Sequence, residues 1–195
     1  MKDIIDSYEK SSSNFIGNSN SLHKLGLNSR KLEEASTKQI LEVLNLYNKE
    51  VIYTSGNAES YTLILNNIPD NKKIITDNKE FYDIGREMNK NIILDKDLNI
   101  DEDTYLVSTE KDLDLSKVFC LKHISLKEGY KSYNNYDLIT IEEDIPFFGC
   151  LIKDKNKELE PIIHGGKSTT KYRSGTSALP LIVSFSKLIK NKYKK

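Results

Sequence analysis

Apolar residues in the first third of the chain switch between helical and strand spacing. From Asn28 to Asn48 they recur every three or four residues, which is the spacing of one helix face. The stretch 50–54 is short and β-branched, and the turn at 55–57 leads into a second helical pattern over 58–65. The sequence therefore predicts a helix, a strand and a further helix, with a tight turn between the last two.

The same alternation continues through the rest of the chain. Further strands are predicted at 73–76, 91–94, 104–108, 118–121, 137–141 and 147–152, and further helices at 79–88 and 177–192. Strands that alternate with helices usually form a mostly parallel sheet covered by helices on both faces, so we expect an α/β fold. No long helix separates the last two strands, and they are predicted to pair antiparallel.

The length of 195 residues is that of one domain. We expect a single unit over 1–195, with an N-terminal arm over 1–27 and an α/β core over 28–195. The serine run 11–13 and the Asn- and Lys-rich stretch 127–135 are predicted to be exposed loops.

Charge and hydropathy limit the classes of partner. The 29 acidic and 29 basic side chains cancel, which gives no argument for a nucleic acid or an anionic membrane surface. No apolar stretch approaches the roughly 18 to 20 residues that span a bilayer, and the N-terminus has no signal-peptide pattern. A cytoplasmic protein is the expectation.

The cysteines and histidines predict no metal site. Cys120 and Cys150 form neither a disulfide framework nor a zinc motif, and both stand in apolar runs that favour core thiols. His23, His123 and His164 are scattered, without a cysteine or carboxylate at ligand spacing. Structural or hydrogen-bonding roles are expected for all three.

Three motifs in a fixed order carry a family resemblance. Gly17 to Gly26, continuing through Ser29 to Ala35, is similar to "GNPSSxHxxGxxAR". Ile52 to Ser60 is similar to "IxFTSGATES". His164-Gly165-Gly166 with Arg173-Ser174-Gly175-Thr176 is similar to "HGGGQExGxRSGT". In this order they resemble the cysteine desulfurases, which are pyridoxal-phosphate enzymes of fold type I in the class V aminotransferase-like group.

The resemblance implies a particular version of the α/β fold. We expect a reduced form of the large domain of these transferases, lacking the C-terminal small domain. In the desulfurases that later segment supplies the arginine for the substrate carboxylate and the cysteine that forms the persulfide. Neither has a counterpart in this sequence.

The resemblance also implies that the Schiff-base lysine is missing. In the family it follows a histidine in a "SxHK" turn after a strand, because only an amine condenses with the cofactor aldehyde and then carries the substrate proton. With 137–141 as that strand, residues 142–145 occupy the turn. Asp144 then replaces the histidine and Ile145 replaces the lysine.

Other residues that contact the cofactor in the family are also replaced or missing in this sequence. By resemblance, Phe81 stands at the ring-stacking histidine, and Lys122 at the aspartate that pairs with the ring nitrogen. Ser125 replaces a glutamine, and Ala58 replaces a threonine that binds phosphate. A "NNExG" segment is missing between 108 and 118. We therefore expect no pyridoxal phosphate, and the alternative is a displaced Schiff base for which Lys122 is the candidate amine.

The turn Ser55-Gly56-Asn57 has two interpretations. Its backbone amides open a helix and are candidates to hold an anion. The alternative is a plain connection between strand and helix in which Asn57 caps the helix.

The Arg173-Ser174-Gly175-Thr176 turn also has two interpretations. By resemblance, its threonine contacts the phosphate of the other subunit, so Arg173 and Thr176 are candidate partner-site residues. In the alternative, Gly175 serves the turn geometry, Arg173 pairs with a carboxylate and Thr176 caps the last helix.

Together these observations predict a non-catalytic pseudoenzyme related to the cysteine desulfurases. It is expected to act through dimerisation, as a homodimer or with a full-length desulfurase, in sulfur mobilisation such as iron-sulfur cluster assembly. The alternative is an enzyme with a relocated pyridoxal phosphate site, or a binder of a phosphorylated ligand. A decaying gene product is a third possibility, although the consistent hydrophobic pattern argues against it.

Overall fold

Helices form two layers around a central sheet in the computed structural model, which describes residues 2–111, 113–126, 133–143, 145, 148–166 and 170–193. The helices within these residues are α1 (Lys2–Asn14), α2 (Lys24–Val43), α3 (Asn57–Asn66), α4 (Lys79–Glu87) and α5 (Leu179–Tyr193). None of these described helices is both long enough and apolar enough to cross a membrane.

One sheet of seven strands runs through the described part of the chain. The strands are β1 (Lys49–Thr54), β2 (Lys73–Thr76), β3 (Ile92–Leu94), β4 (Thr104–Thr109), β5 (Leu121–Ser125), β6 (Leu138–Glu142) and β7 (Gly149–Asp154). Their order is β1-β7-β6-β5-β4-β2-β3. Strands β2 to β6 pair in parallel, whereas β7 is antiparallel to both β6 and β1. The predicted α/β fold and the antiparallel pairing of the last two strands are confirmed.

The core lies on both faces of the sheet, because successive strand residues point to opposite sides. Ile152 faces the cluster formed with α2 and α5, which includes Ile40 and Phe185. Leu151 faces the other cluster, formed with α3 and α4, which includes Ile64. All five side chains are fully buried. Strands buried on both faces explain the nearly continuous apolar runs in the sequence.

The N-terminal segment is helical, and the prediction of an exposed loop at the serine run is wrong. Residues 11–13 lie within α1, which packs on α5 and is tied to it by a 3.3 Å hydrogen bond from the Ser184 hydroxyl to the Ile4 carbonyl. The hydroxyl of Ser11 donates to the Ser7 carbonyl at 2.7 Å. Serine side chains can satisfy themselves in this way along a helix, so their presence did not exclude one.

Strand β5 begins at the last residue of the strand predicted at 118–121. The actual strand contains Lys122 and His123, and Phe119 before it is fully exposed. The predicted strand ended just before the polar pair at 122–123, which the actual strand includes. The imidazole of His123 is hydrogen-bonded to Ser108 and Thr140 inside the fold, so a histidine is compatible with a buried strand.

The Asn- and Lys-rich stretch 127–135 was predicted to be an exposed loop. Residues 127–132 lie outside the described part of the chain. At the end of the stretch Tyr133 is buried, so the prediction is wrong at that residue.

Both cysteines are free thiols. Cys150 is buried in β7, as expected of a core thiol, and burial raises its pKa well above the usual range. Cys120 precedes β5 and is only half-buried, and burial raises its pKa as well. Neither thiol is therefore readily ionised at neutral pH.

Truncating the central isoleucine of β7 should destabilise the protein strongly. Ile152 is 0% exposed, so Ile152→Ala leaves a cavity and should lower the free energy of unfolding by about 2–5 kcal/mol. The matched control is Ile93→Ala on the edge strand β3, where the side chain is 44% exposed and the loss should be below about 1 kcal/mol. Urea denaturation followed by circular dichroism measures both. Equal losses would contradict the assigned core.

Candidate functional site

The turn between β1 and α3 lies against the adjoining ends of β6 and β7. Gly56 has φ of +149°, a conformation that side-chain-bearing residues rarely adopt. Gly149 opens β7, and a Cβ there would lie 3.0 Å from the Gly56 Cα and 2.9 Å from the Ile141 carbonyl oxygen. Two glycines therefore allow the turn to approach the sheet backbone closely.

Two carboxylates accept hydrogen bonds from the backbone amides of this turn. The Asn57 N–H donates to Glu142 Oε2 at 3.0 Å, and the Ser55 N–H donates to Glu59 Oε2 at 2.7 Å. Glu142 Oε1 is 3.2 Å from the position that a Cβ on Gly56 would take. Carboxylates are favoured here because the N-terminus of a helix carries partial positive charge.

Asn57 does not cap α3, and the prediction that it would is wrong. Gly56 holds the cap position and makes no side-chain cap bond, while Asn57 is the first helical residue. The buried Asn57 Oδ1 has no hydrogen-bond partner within the described residues. The turn is therefore organised by Glu142 and Glu59 from outside the cap position.

Glu59 joins the turn to the Arg173-Ser174-Gly175-Thr176 segment. The Arg173 Nε donates to Glu59 Oε1 at 2.8 Å. Burial pulls the pKa of Glu59 upward, but hydrogen bonds from Arg173 and Ser55 outweigh it and hold the pKa below its usual value. The expected pairing of Arg173 with a carboxylate is thus confirmed.

The remaining residues of that segment form an exposed turn. Gly175 has φ of +116°, so the geometry favours glycine there, as one interpretation of the segment predicted. Thr176 is exposed and lies before α5 begins at Leu179, and its hydroxyl accepts a 3.2 Å hydrogen bond from the Asn18 amide. A small cavity of about 160 Å³ brings together Ser55, Arg173 and Thr176. The structure therefore places all the candidate residues of the two turns in one region.

A buried polar cluster lies between the sheet and the two helices α3 and α4. The His123 Nδ1 is 2.8 Å from the Ser108 hydroxyl, and its Nε2 is 3.1 Å from the Thr140 hydroxyl. Phe81 stacks on the imidazole with ring centroids 5.3 Å apart, and Tyr61 meets it edge-on at 5.7 Å. Burial lowers the pKa of His123 to about 3, so the ring is neutral at physiological pH.

The same cluster extends to α4 through a second set of hydrogen bonds. The Tyr61 hydroxyl is 2.6 Å from the Ser125 hydroxyl, and the Asn78 side-chain amide donates to Tyr61 at 3.0 Å. The Thr140 hydroxyl donates to Ser125 at 3.2 Å. Asn78 also caps α4 by accepting from the Phe81 N–H at 2.9 Å. Strands β5 and β6 are thereby tied to both helices on this face.

Two residues bear on a Schiff base, Ile145 and Lys122, and they lie in different parts of the fold. Ile145 is 9% exposed and belongs to the apolar cluster with α2 and α5, while its neighbour 144 is outside the described residues. Lys122 lies in the first half of β5, and its N–H donates to Asp137 just before β6. Lys122 is also one of the residues around a cavity of about 540 Å³ that includes Tyr105 and Phe119.

His23 and His123 have the hydrogen-bonding roles that were expected of them. His23 caps α2 by accepting the Gly26 N–H on Nδ1 at 3.2 Å, and His164 is exposed. Across the described ranges, no group of three His, Cys, Asp or Glu side chains is arranged to hold a metal ion.

Sequence reasoning missed Glu142 and Glu59 as parts of the turn. Glu59 lies four positions after Ser55, and a carboxylate in the first turn of a helix is a recognisable N-terminal signal. Glu142 is 85 positions from Asn57, and no local pattern joins them.

The family model for class V aminotransferases, "Aminotransferase class-V", matches residues 1–99. This is just over half of the 195 residues. The chain belongs to the class V aminotransferase family.

Among relatives of this class V family member, a "NifS/IcsS protein homolog" from Lactobacillus delbrueckii subsp. bulgaricus is 22% identical over 232 residues. That alignment includes 94% of this chain and 60% of the relative, so the chain spans well under two thirds of the relative's length.

Solved structures support the same fold. A "NIFS-LIKE PROTEIN" has a TM-score of 0.84 at 19% identity, and the match covers 98% of this chain and 66% of the other. A NifS-like protein from Rickettsia africae has a TM-score of 0.80 at 20% identity, with 97% and 65% covered. The apo cysteine desulfurase from Thermococcus onnurineus has a TM-score of 0.76 at 12% identity, with 97% and 64% covered. The class V chain thus has the fold of these desulfurase-like proteins over about two thirds of their length.

Protonating His123 should destabilise the fold. The pKa of His123 is about 3 in the folded protein and about 6.5 in the unfolded chain. Between these two pH values the unfolded chain therefore binds more protons than the folded protein. The stabilisation is complete above about pH 6.5 and is lost as the pH falls towards about 3, by on the order of 5 kcal/mol. Urea denaturation at a series of pH values measures this slope.

The matched control for this pH dependence uses the exposed histidine. His123→Gln should flatten the slope relative to the wild type, whereas His164→Gln should leave it unchanged. A wild-type slope that survives in His123→Gln would contradict the assignment.

Proposed function

We propose that this class V family member is non-catalytic, does not hold pyridoxal phosphate and acts through protein contact. The observation that carries the proposal is Ile145, which resemblance places at the Schiff-base lysine and which packs in the apolar core. An isoleucine offers neither an amine for the aldehyde nor a proton carrier. Pyridoxal phosphate, when bound in an enzyme, supplies an electron sink, and this position cannot anchor it.

The residues around the expected ring position do not fit the cofactor either. Phe81, at the place of the ring-stacking histidine, is fully buried and stacks on His123. Ser125, which resemblance places at the glutamine, bonds with Tyr61. Lys122, which it places at the aspartate, offers no carboxylate to pair with a ring nitrogen. The aromatic and hydroxyl groups of this region are already committed to one another.

A role in protein contact is supported by the 173–176 turn, which is ordered by Glu59 and exposes Thr176. Arg173 is fixed by Glu59, and Thr176 is exposed beside Asn18 of the segment before α2. In the family, the threonine of this motif reaches the other subunit. A formed, exposed turn without a fitting cofactor site favours a role as a homodimer or as the partner of a full-length cysteine desulfurase. Sulfur mobilisation, as in iron-sulfur cluster assembly, is the process that such a partner would serve.

One alternative has a specific structural observation in its favour. Lys122 is among the residues that line the 540 Å³ cavity, beside Tyr105 and Phe119, and this volume is typical of small-molecule sites. A relocated cofactor would use this amine. The cavity is bordered by Asp137, which lies just before β6 and would repel a phosphate group.

Pyridoxal phosphate should form no saturable, single-site aldimine with the purified protein. Surface lysines react weakly with the aldehyde, so the decisive comparison is between the wild type and Lys122→Arg after borohydride reduction. Absorbance titration and peptide mass spectrometry should show the same weak, dispersed labelling in both. Stoichiometric labelling that disappears in Lys122→Arg would establish the relocated enzyme instead.

Arginine at the exposed threonine should weaken protein association. Thr176→Arg places a long cation on the proposed contact face and should raise the dissociation constant by about tenfold or more. Sedimentation velocity measures self-association, and co-purification with a cysteine desulfurase of the same cell measures the mixed complex. Asn66→Arg, exposed at the end of α3, is the control and should have no effect. A wild-type protein that is strictly monomeric and retains no desulfurase would contradict the proposal.

A further inference from the structure

The N-terminus of α3 combines three features that favour a bound anion. It is the start of a ten-residue helix, and its first amide points out of the helix towards the end of β6. Gly56 has no side chain to fill the space in front of that amide. An anion is in fact present, and it is the carboxylate of Glu142, with one oxygen on the Asn57 N–H and the other 3.2 Å from the position of a Gly56 Cβ.

Glu142 holds this place without being built into the core. It is the last residue of β6, and unlike the four strand residues before it, its side chain is exposed. The backbone at its base is fixed, because β6 pairs Glu142 with Gly149 at the start of β7. The pairing of β6 with β7 thus positions the carboxylate at the turn, and the carboxylate is still exposed to water.

Further carboxylates make the same edge of the sheet unfavourable for a free anion. Burial raises the pKa of Glu80, and the negative charges of Glu142 and Glu110 raise it further, which places these three groups within electrostatic reach. Glu59 occupies the neighbouring Ser55 amide. Arg173, a cation close to the turn, is engaged by Glu59.

We propose that Glu142 is an internal anion that closes the N-terminus of α3 to phosphate groups, so that this turn excludes external phosphate. The contact is autoinhibitory in form, because the Asn57 amide beside Gly56 is suited to an anion and the side chain of Glu142 occupies it. This inference rests on the proposed absence of pyridoxal phosphate and gives it a second physical cause. It assigns to Glu142 the direct occupation of the Asn57 amide, separately from the loss of the Schiff base.

Two substitutions at position 142 separate the charge from the hydrogen bond. Glu142→Gln keeps an oxygen that can accept from Asn57 but removes the charge, whereas Glu142→Ser vacates the amide. Glu102→Ser, at an exposed glutamate away from the turn, is the control. Both test variants alter an exposed side chain at a strand end, and the conservative glutamine variant covers the case in which the serine variant folds poorly.

The probe is inorganic phosphate, followed by the amide NMR signals of Ser55 and Asn57 in the whole protein. Glu142→Ser should give a saturable shift with a dissociation constant at least about tenfold below that of the wild type and the Glu102→Ser control, with Glu142→Gln between them. The proposal is overturned if the wild type binds phosphate at Asn57 as tightly as Glu142→Ser does. It is also overturned if neither variant at position 142 binds phosphate more tightly than the wild type.

Inorganic phosphate keeps this result distinct from the test of the proposed function. It has no aldehyde and reacts with no lysine, so a Schiff base found elsewhere would overturn the proposed function and leave the phosphate comparison intact. Equal phosphate binding by wild type and variants would remove the role of Glu142 and leave Ile145 as the obstacle to the cofactor.

Discussion

The end of β6 meets the first turn of α3 through a carboxylate on a backbone amide, and the arrangement of the candidate site depends on that contact. It requires glycine at 56, where φ is positive, and glycine at 149, where a Cβ would strike the turn. The same edge then receives Arg173 through Glu59. The sheet, α3 and the 173–176 turn are thereby joined around two carboxylates.

Behind this edge, the space between sheet and helices is filled by groups that satisfy one another. His123 is neutral, has a hydroxyl partner on each nitrogen and carries Phe81 on its face. A buried imidazole without such partners would cost several kcal/mol, so the surrounding hydroxyls explain how a histidine is tolerated at the centre of a sheet. The arrangement serves stability, because each of these polar groups has a partner inside the fold.

Much of the fold could be predicted from the sequence, because period-two and period-3.6 patterns report which faces are buried. The apolar run of β7 predicted a buried antiparallel strand, and the α2 stripe predicted its helix. Helix α1 escaped prediction because its serines bond to their own backbone. The position of β5 was missed because both ring nitrogens of His123 are hydrogen-bonded to residues of neighbouring strands, and no local sequence pattern shows these partners.

The candidate site was predictable only in part. The turn 55–57 and the segment 173–176 were found through motifs, and the structure brings them together. The contact of Glu142 with Asn57 joins residues far apart in sequence, and it depends on the strand order. The most direct measurement of the central claim is a crystal structure of the protein grown with excess pyridoxal phosphate. The account predicts Glu142 on the Asn57 amide and no cofactor in the density; a pyridoxal group joined to a lysine, with Glu142 displaced, would contradict it.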